Sequence, residues 1–213
     1  MINSVINSNN IDPLHLRLDR KSEKIMYIIA GCNGAGKTTA FRDSLYKKLG
    51  CPDFINADDI AREICPENVE SVKLRAGREA LGKMHSYLSG NESFCVETTL
   101  ATKIYRGHIQ EAHKNGFKVA LFYYWLDSAD LAVARVEQRV AEGGHNIPEA
   151  IIRERYDKSV KYLSSIYLHN VDYWKIVNNS GIMQKEIATS VTVINNRLLF
   201  NNLMCYGNNN QNK

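Results

Sequence analysis

No run of lysine and arginine is long enough to act as a nucleic-acid arm, and 27 basic against 23 acidic side chains leave a formal net charge of only +4. That mild excess suits an anionic ligand without demanding nucleic acid. The five cysteines, Cys32, Cys51, Cys65, Cys95 and Cys205, are odd in number and lack the paired short spacing of a zinc site, so reduced and mostly buried thiols are expected. The longest apolar run, Val119 to Leu126, falls far short of the ~20 residues a membrane helix needs. No basic-then-apolar leader opens the sequence. A soluble, cytoplasmic protein without a membrane partner is the expectation. At 213 residues the chain fits one domain of ordinary size.

Short apolar runs alternate with longer amphipathic stretches. Strands are expected near 24–30, 53–56, 93–97, 117–126 and 171–177, with helices between them. That alternation predicts an α/β fold with a mostly parallel five-stranded sheet covered by helices on both faces. Asp127 and Ser128 offer caps ahead of "ADLAVARVEQRV", Pro148 stands where a helix can begin, and Gly116 follows a helical stretch. Residues 1–23 read as a polar extension and 201–213 as an Asn-rich tail, leaving 24–200 as the domain.

The segment "IMYIIAGCNGAGKTT" runs a strand into G-x-x-x-x-G-K-T, the phosphate-loop pattern in its strand-to-helix context. An ordinary glycine turn would rarely match all four fixed positions, since glycine makes up only ~7% of residues. Backbone N–H groups from Gly31, Cys32, Asn33, Gly34, Ala35, Gly36, Lys37, Thr38 and Thr39 are placed to surround nucleotide phosphates. Lys37 would reach the β- and γ-phosphates of ATP and Thr38 would ligate Mg2+. The loop does not disclose the fate of the γ-phosphate.

Three further segments bear on that question. "FINADD" puts Asp58 just beyond a strand end as the candidate proton acceptor, with Asp59 as the expected helix cap. "SFCVETTL" ends a strand at Glu97, near where ligands of open α/β sheets bind. "VALFYYWLD" places Asp127 where a Walker B acid would stand, although the following "SADLAVARV" gives it a capping role instead, and the four aromatics read as sheet packing. In "RVEQRVAEGGHNIPEAIIRERY", Arg135 and Arg139 share a helix face, Gly143 and Gly144 loosen the chain, and Arg153 and Arg155 follow. This is the pattern of a hinged, arginine-bearing lid over a phosphoryl-transfer site, with His145 in the loop. For any single arginine, and for His145, a surface or loop role is about equally consistent with the pattern.

Together the phosphate loop, "FINADDIA", "VETTLA" and "RVAEGGHNIPEAIIRERY" resemble, over roughly 24–180, the zeta-toxin family of P-loop kinases. The resemblance implies a P-loop three-layer fold similar to nucleoside-monophosphate kinases, with ATP and Mg2+ as cofactors. It implies phosphorylation of UDP-N-acetylglucosamine on its sugar hydroxyl, and an antitoxin protein as a partner. Asp58 would match the family's general base, Glu97 and Thr99 its sugar-gripping residues, and Arg139, with Arg135 or Arg155, its lid arginines. Where the family usually reads Asp-x-Asp, Asn56 stands first. Two other readings share the loop: a kinase of nucleic-acid ends, and a nucleotide-gated module that regulates a protein partner and needs no acceptor base.

Overall fold

The computed structural model describes residues 23–42, 46, 53–190 and 197–209. Six strands form one sheet: β1 (Ile25–Ala30), β2 (Phe54–Ile55), β3 (Phe94–Thr98), β4 (Lys118–Trp125), β5 (Tyr173–Asn178) and β6 (Lys185–Thr189), in the order β2-β3-β1-β4-β5-β6. Strands β1 to β5 are parallel and β6 runs antiparallel to β5. The five parallel strands fall where the apolar runs predict them. The sixth is an addition: its short edge segment "KEIAT" carries charge at its start and lacks the continuous apolar run of a strand buried on both faces.

The central strands need cover on both sides. Every residue of β1 is buried, as is all of β4 after Lys118. The cover comes from α1 (Lys37–Ala40), α2 (Ala57–Ile64), α3 (Val69–Ser89), α4 (Tyr105–Lys114), α5 (Ala129–Ala141), α6 (Glu149–Ser165) and α7 (Arg197–Asn209). The aromatics of β4 pack in the core, as read from the sequence. Tyr123 shares a hydrogen bond with Ser159 of α6 at 2.8 Å, and Trp125 Nε1 donates to Tyr156 at 3.2 Å. Each thereby satisfies its polar tip inside an apolar layer.

The expected Asn-rich tail is corrected by α7. Residues 201–209 continue a helix that packs on α6, with Leu203 fully buried and Phe200 stacked on Trp174 at 6.2 Å. The asparagines hide an apolar stripe of Phe200, Leu203 and Met204 at helical spacing. The expected extension over 1–23 lies almost wholly outside the described residues, as do 210–213.

Because β1 sits between β3 and β4, the chain crosses over it after β3. That reversal opens a crevice at the carboxyl ends of β1 and its neighbours, the usual ligand position in such sheets.

Candidate active site

The loop from Gly31 to Gly36 leaves β1 at this crevice. Gly31, Gly34 and Gly36 have φ of 146°, 76° and 74°, and side chains there would meet neighbouring groups. A Cβ at Gly31 would lie 2.3 Å from the Tyr124 carbonyl oxygen, and one at Gly34 would lie 2.7 Å from that of Ala132. Only glycine fits both positions. No side chain caps α1, whose N-cap is Gly36.

Lys37 is buried and folds back on the loop, its Nζ donating to the Cys32 carbonyl at 3.0 Å and standing 3.7 Å from Glu97. Thr38 donates its hydroxyl to Glu97 Oε2 at 2.7 Å, and Asn56 Nδ2 donates to the same oxygen at 3.0 Å. Glu97 therefore lies against the nucleotide side of the loop. Thr99 sits just past the end of β3, half-buried, and lines neither large cavity described below. Thr98 receives the Leu100 N–H, which holds Leu100 at a φ of 58°, and bonds Tyr105. Burial, with the nearby Glu97 charge, keeps the Tyr105 hydroxyl protonated.

Asn56 also caps α2, accepting the Asp58 N–H at 2.8 Å from an extended backbone. This corrects the expected Asp59 cap. Asp59 instead pairs with Arg42 and Arg62 on the surface of the helix. The cap belongs to the residue that ends the strand, because only there is the side-chain oxygen aimed at the first free amides. Asp127 is likewise not a cap: Ser128 accepts the Leu131 N–H, while Asp127 receives Asn178 Nδ2 at 2.8 Å. The capping role read for Asp127 is thus corrected to a tie between the end of β4 and the end of β5.

Three arginines converge on the loop from the lid. Arg155 of α6 donates to Asn33 Oδ1 at 3.2 Å, Arg135 of α5 donates to the Ser180 carbonyl at 3.1 Å, and Arg139 donates to the His145 carbonyl at 3.0 Å. Arg153 points elsewhere, into surface pairs with Asp130 and Glu149. His145 bridges to α3, its Nε2 lying 2.6 Å from Glu70 and 2.7 Å from Lys73.

Two cavities meet here. One, of about 290 Å³, lies over the loop and is lined by Asn33, Lys37, Thr38, Glu97, Arg135 and Arg139 among others. The second, about 640 Å³, lies between the start of α3 and the lid and includes Glu70, Glu142, Gly144 and His145. Asp58, Arg62 and Arg139 line both.

The sequence reading missed the segment after β5. Asn179 Nδ2 donates to the Ala35 carbonyl at 2.8 Å, and that amide fills the space where a Gly36 Cβ would stand. Ser180 accepts the Asp127 N–H and offers its carbonyl to Arg135. The available signal was "NNSG" directly at the carboxyl end of the last parallel strand.

The zeta toxin family model matches residues 14–187, most of the chain. The chain belongs to the zeta-toxin family. An uncharacterised protein of Haemophilus influenzae is 33% identical over 126 residues, which cover 59% of this zeta-toxin family member and 88% of the relative. Among solved structures, the AvrRxo1-ORF1:-ORF2 complex with ATP superposes with a TM-score of 0.68 at 15% identity, over 85% of this chain. The chain spans only 64% of that neighbour's length. A structure from the PezAT toxin–antitoxin system of Streptococcus pneumoniae gives a TM-score of 0.59 at 16% identity, covering 90% of this chain and 87% of the other. At such identities the likeness establishes the shared P-loop kinase fold of this zeta-toxin family member.

Proposed function

We propose that this zeta-toxin family member is an ATP- and magnesium-dependent kinase. It transfers the γ-phosphate to a hydroxyl of a small molecule held in the larger cavity, with UDP-N-acetylglucosamine the first acceptor to test. The observation that carries the reading is the position of Asp58, an exposed carboxylate shared by the cavity over the phosphate loop and the cavity beside it. A nucleotide-gated module would need no acid at that junction.

In the proposed reaction the acceptor oxygen bonds to the γ-phosphorus, the bond from that phosphorus to the bridging oxygen breaks, and ADP leaves. The acceptor's proton passes to Asp58. Lys37 exchanges its contact with the Cys32 carbonyl for the phosphates, and Arg135 and Arg139 meet the charge spreading over the transferred group. Arg155, through Asn33, and Asn179, through Ala35, hold the loop in shape for this. His145 would contribute to the acceptor space from the lid.

The Thr38 hydroxyl and Glu97 carboxylate form a pair of oxygen donors suited to magnesium, a hard cation. When bound, the ion would neutralise charge on the β- and γ-phosphates. We therefore assign Glu97 to organising the metal side of the site, where the family resemblance alone would give it to the sugar. Thr99 keeps its proposed acceptor role on that resemblance alone. The AvrRxo1-ORF1:-ORF2 pairing of one structural neighbour and the PezAT toxin–antitoxin system of the other support an antitoxin as a partner.

The test is incubation with γ-labelled ATP, Mg2+ and either UDP-N-acetylglucosamine or a metabolite extract, with identification of the labelled product. Lys37→Ala serves as the control. Label appearing on a small molecule, and absent with Lys37→Ala, is the expected result. ATP hydrolysis without any labelled acceptor would favour the nucleotide-gated module. Label on nucleic-acid ends would favour the end-kinase reading.

A further inference from the structure

Helices α3 and α4 bring together two imidazoles and a carboxylate that the phosphoryl-transfer site does not use. His85 lies one turn before the end of α3, while His108 and Glu111 lie three residues apart on α4 and so share a face. His85 Nδ1 is 3.2 Å from Glu111 Oε1, and His108 Nδ1 is 4.0 Å from Glu111 Oε2. One donor atom from each residue falls within 4.8 Å of the other two.

Zinc takes imidazole nitrogen and carboxylate oxygen at about 2.0–2.2 Å, which puts neighbouring donors around a tetrahedral ion roughly 3.3 Å apart. The His85–Glu111 separation already has that value. The His108–Glu111 separation exceeds it by a distance that small side-chain rotations close.

The His108 ring is also uncommitted. Its Nε2 is buried with no hydrogen-bond partner among the described residues, and its Nδ1 stands beyond hydrogen-bond length from Glu111. An imidazole nitrogen that carries no proton offers a lone pair to a metal. Edge-on contacts with Tyr105 and His85, with centroids 5.6 Å and 5.5 Å away, pack against the His108 ring.

We propose that His85, His108 and Glu111 form a site for one zinc-class dication, such as zinc, nickel or cobalt, that pins α3 to α4. Two nitrogen donors select such ions over magnesium, which takes oxygen donors. The fourth position stays open to water. Because α4 starts at Tyr105, which is bonded to Thr98 beside Glu97, a metal here would stiffen the wall behind the phosphate loop.

An ion that binds only the folded chain raises its stability in proportion to the logarithm of its concentration over its dissociation constant. The test is therefore thermal unfolding and titration calorimetry of the full chain with Zn2+, without nucleotide. One Zn2+ per chain and a chelator-reversible rise in Tm are expected, with no rise from Mg2+ at the same concentration. His108→Ala should abolish both signals. Since His108 is half-buried and its removal opens a cavity, the His85→Ala/Glu111→Gln double variant, which changes only exposed or part-exposed side chains, gives an independent reading. An unchanged zinc response in both variants would place the ion elsewhere, for example on Cys65 or Cys205. No zinc response in the wild-type chain would end the proposal outright.

Discussion

At the amino edge of the sheet, the Asp172 carboxylate receives the Val119 N–H at 2.9 Å, His113 at 2.8 Å and Lys118 at 3.1 Å. At the carboxyl edge, Glu97 gathers Thr38 and Asn56 while Lys37 stands off at 3.7 Å. Both clusters put a carboxylate at a strand end. The first ties α4, β4 and β5 together from half-exposed positions and leaves nothing for a ligand. The second joins Glu97 to Thr38 and to Lys37 and Asn56, the last two buried, beside glycines that leave room for something else. Polar groups at one edge serve the fold. Those at the other are held at a cost in burial that a ligand can offset.

The sharpest way to break this contrast is Asp58→Asn. The amide keeps the shape of the side chain but cannot take a proton, so phosphotransfer should fall by ~10²–10⁴-fold with ATP affinity kept. Asp59→Asn, in a surface ion pair, should change little. Steady-state kinetics with nucleotide-binding measurements decide it. Loss of magnesium-ATP binding in Asp58→Asn would make that residue a metal group instead.

A smaller effect is expected at Glu97. If it organises the metal, Glu97→Gln should raise the magnesium concentration needed for half-maximal rate by ~10–100-fold, leaving the acceptor KM unchanged. A shift confined to the acceptor KM would return Glu97 to the sugar.

At the amino edge the effect should appear in stability alone. Burial pushes the Asp172 carboxyl upward, but the Val119 N–H, His113 and Lys118 outweigh it and the group is held below its ordinary value. A carboxyl depressed in the folded state contributes stability above its unfolded pKa of ~4 and loses it as pH falls through the folded value. Asp172→Asn should thus cost about 1 kcal/mol at neutral pH, the size of a partly solvated charged hydrogen bond. The gap from wild type should narrow as the solution is acidified below pH ~4. Urea unfolding across pH reads this, and kcat should not change.

The smallest effect is an expected silence. Burial, opposed by the nearby Lys37 charge, pushes the Cys32 thiol up to about 11. At mildly alkaline pH it stays protonated, so an alkylating reagent should spare it in the folded chain while labelling the exposed Cys205. Peptide mapping that found Cys32 labelled as fast as Cys205 would show an open loop.

The parallel strands and the phosphate loop were legible because each leaves a local mark: a continuous apolar run, or glycines at fixed spacing before Lys37. Asn56 was not. Two acids follow it, and choosing the cap requires knowing where β2 ends, a matter of its pairing with β3 rather than of local composition. Asn179 was hidden for a related reason, since its partner Ala35 lies 144 residues away in the chain. Helix α7 was masked by its asparagines, of which the exposed Asn201 and Asn202 interrupt the apolar stripe.

The chain contains only two tryptophans, and the fold has separated them by purpose. Trp125 ends β4 beside the carbonyl of Tyr124 that approaches Gly31, whereas Trp174 stacks on Phe200 of the last helix. With Trp174 replaced by phenylalanine, the remaining indole becomes a built-in optical probe of the nucleotide loop. With Trp125 replaced, the emission follows the docking of α7, so a pair of single-tryptophan variants times loading of the site and docking of the last helix separately.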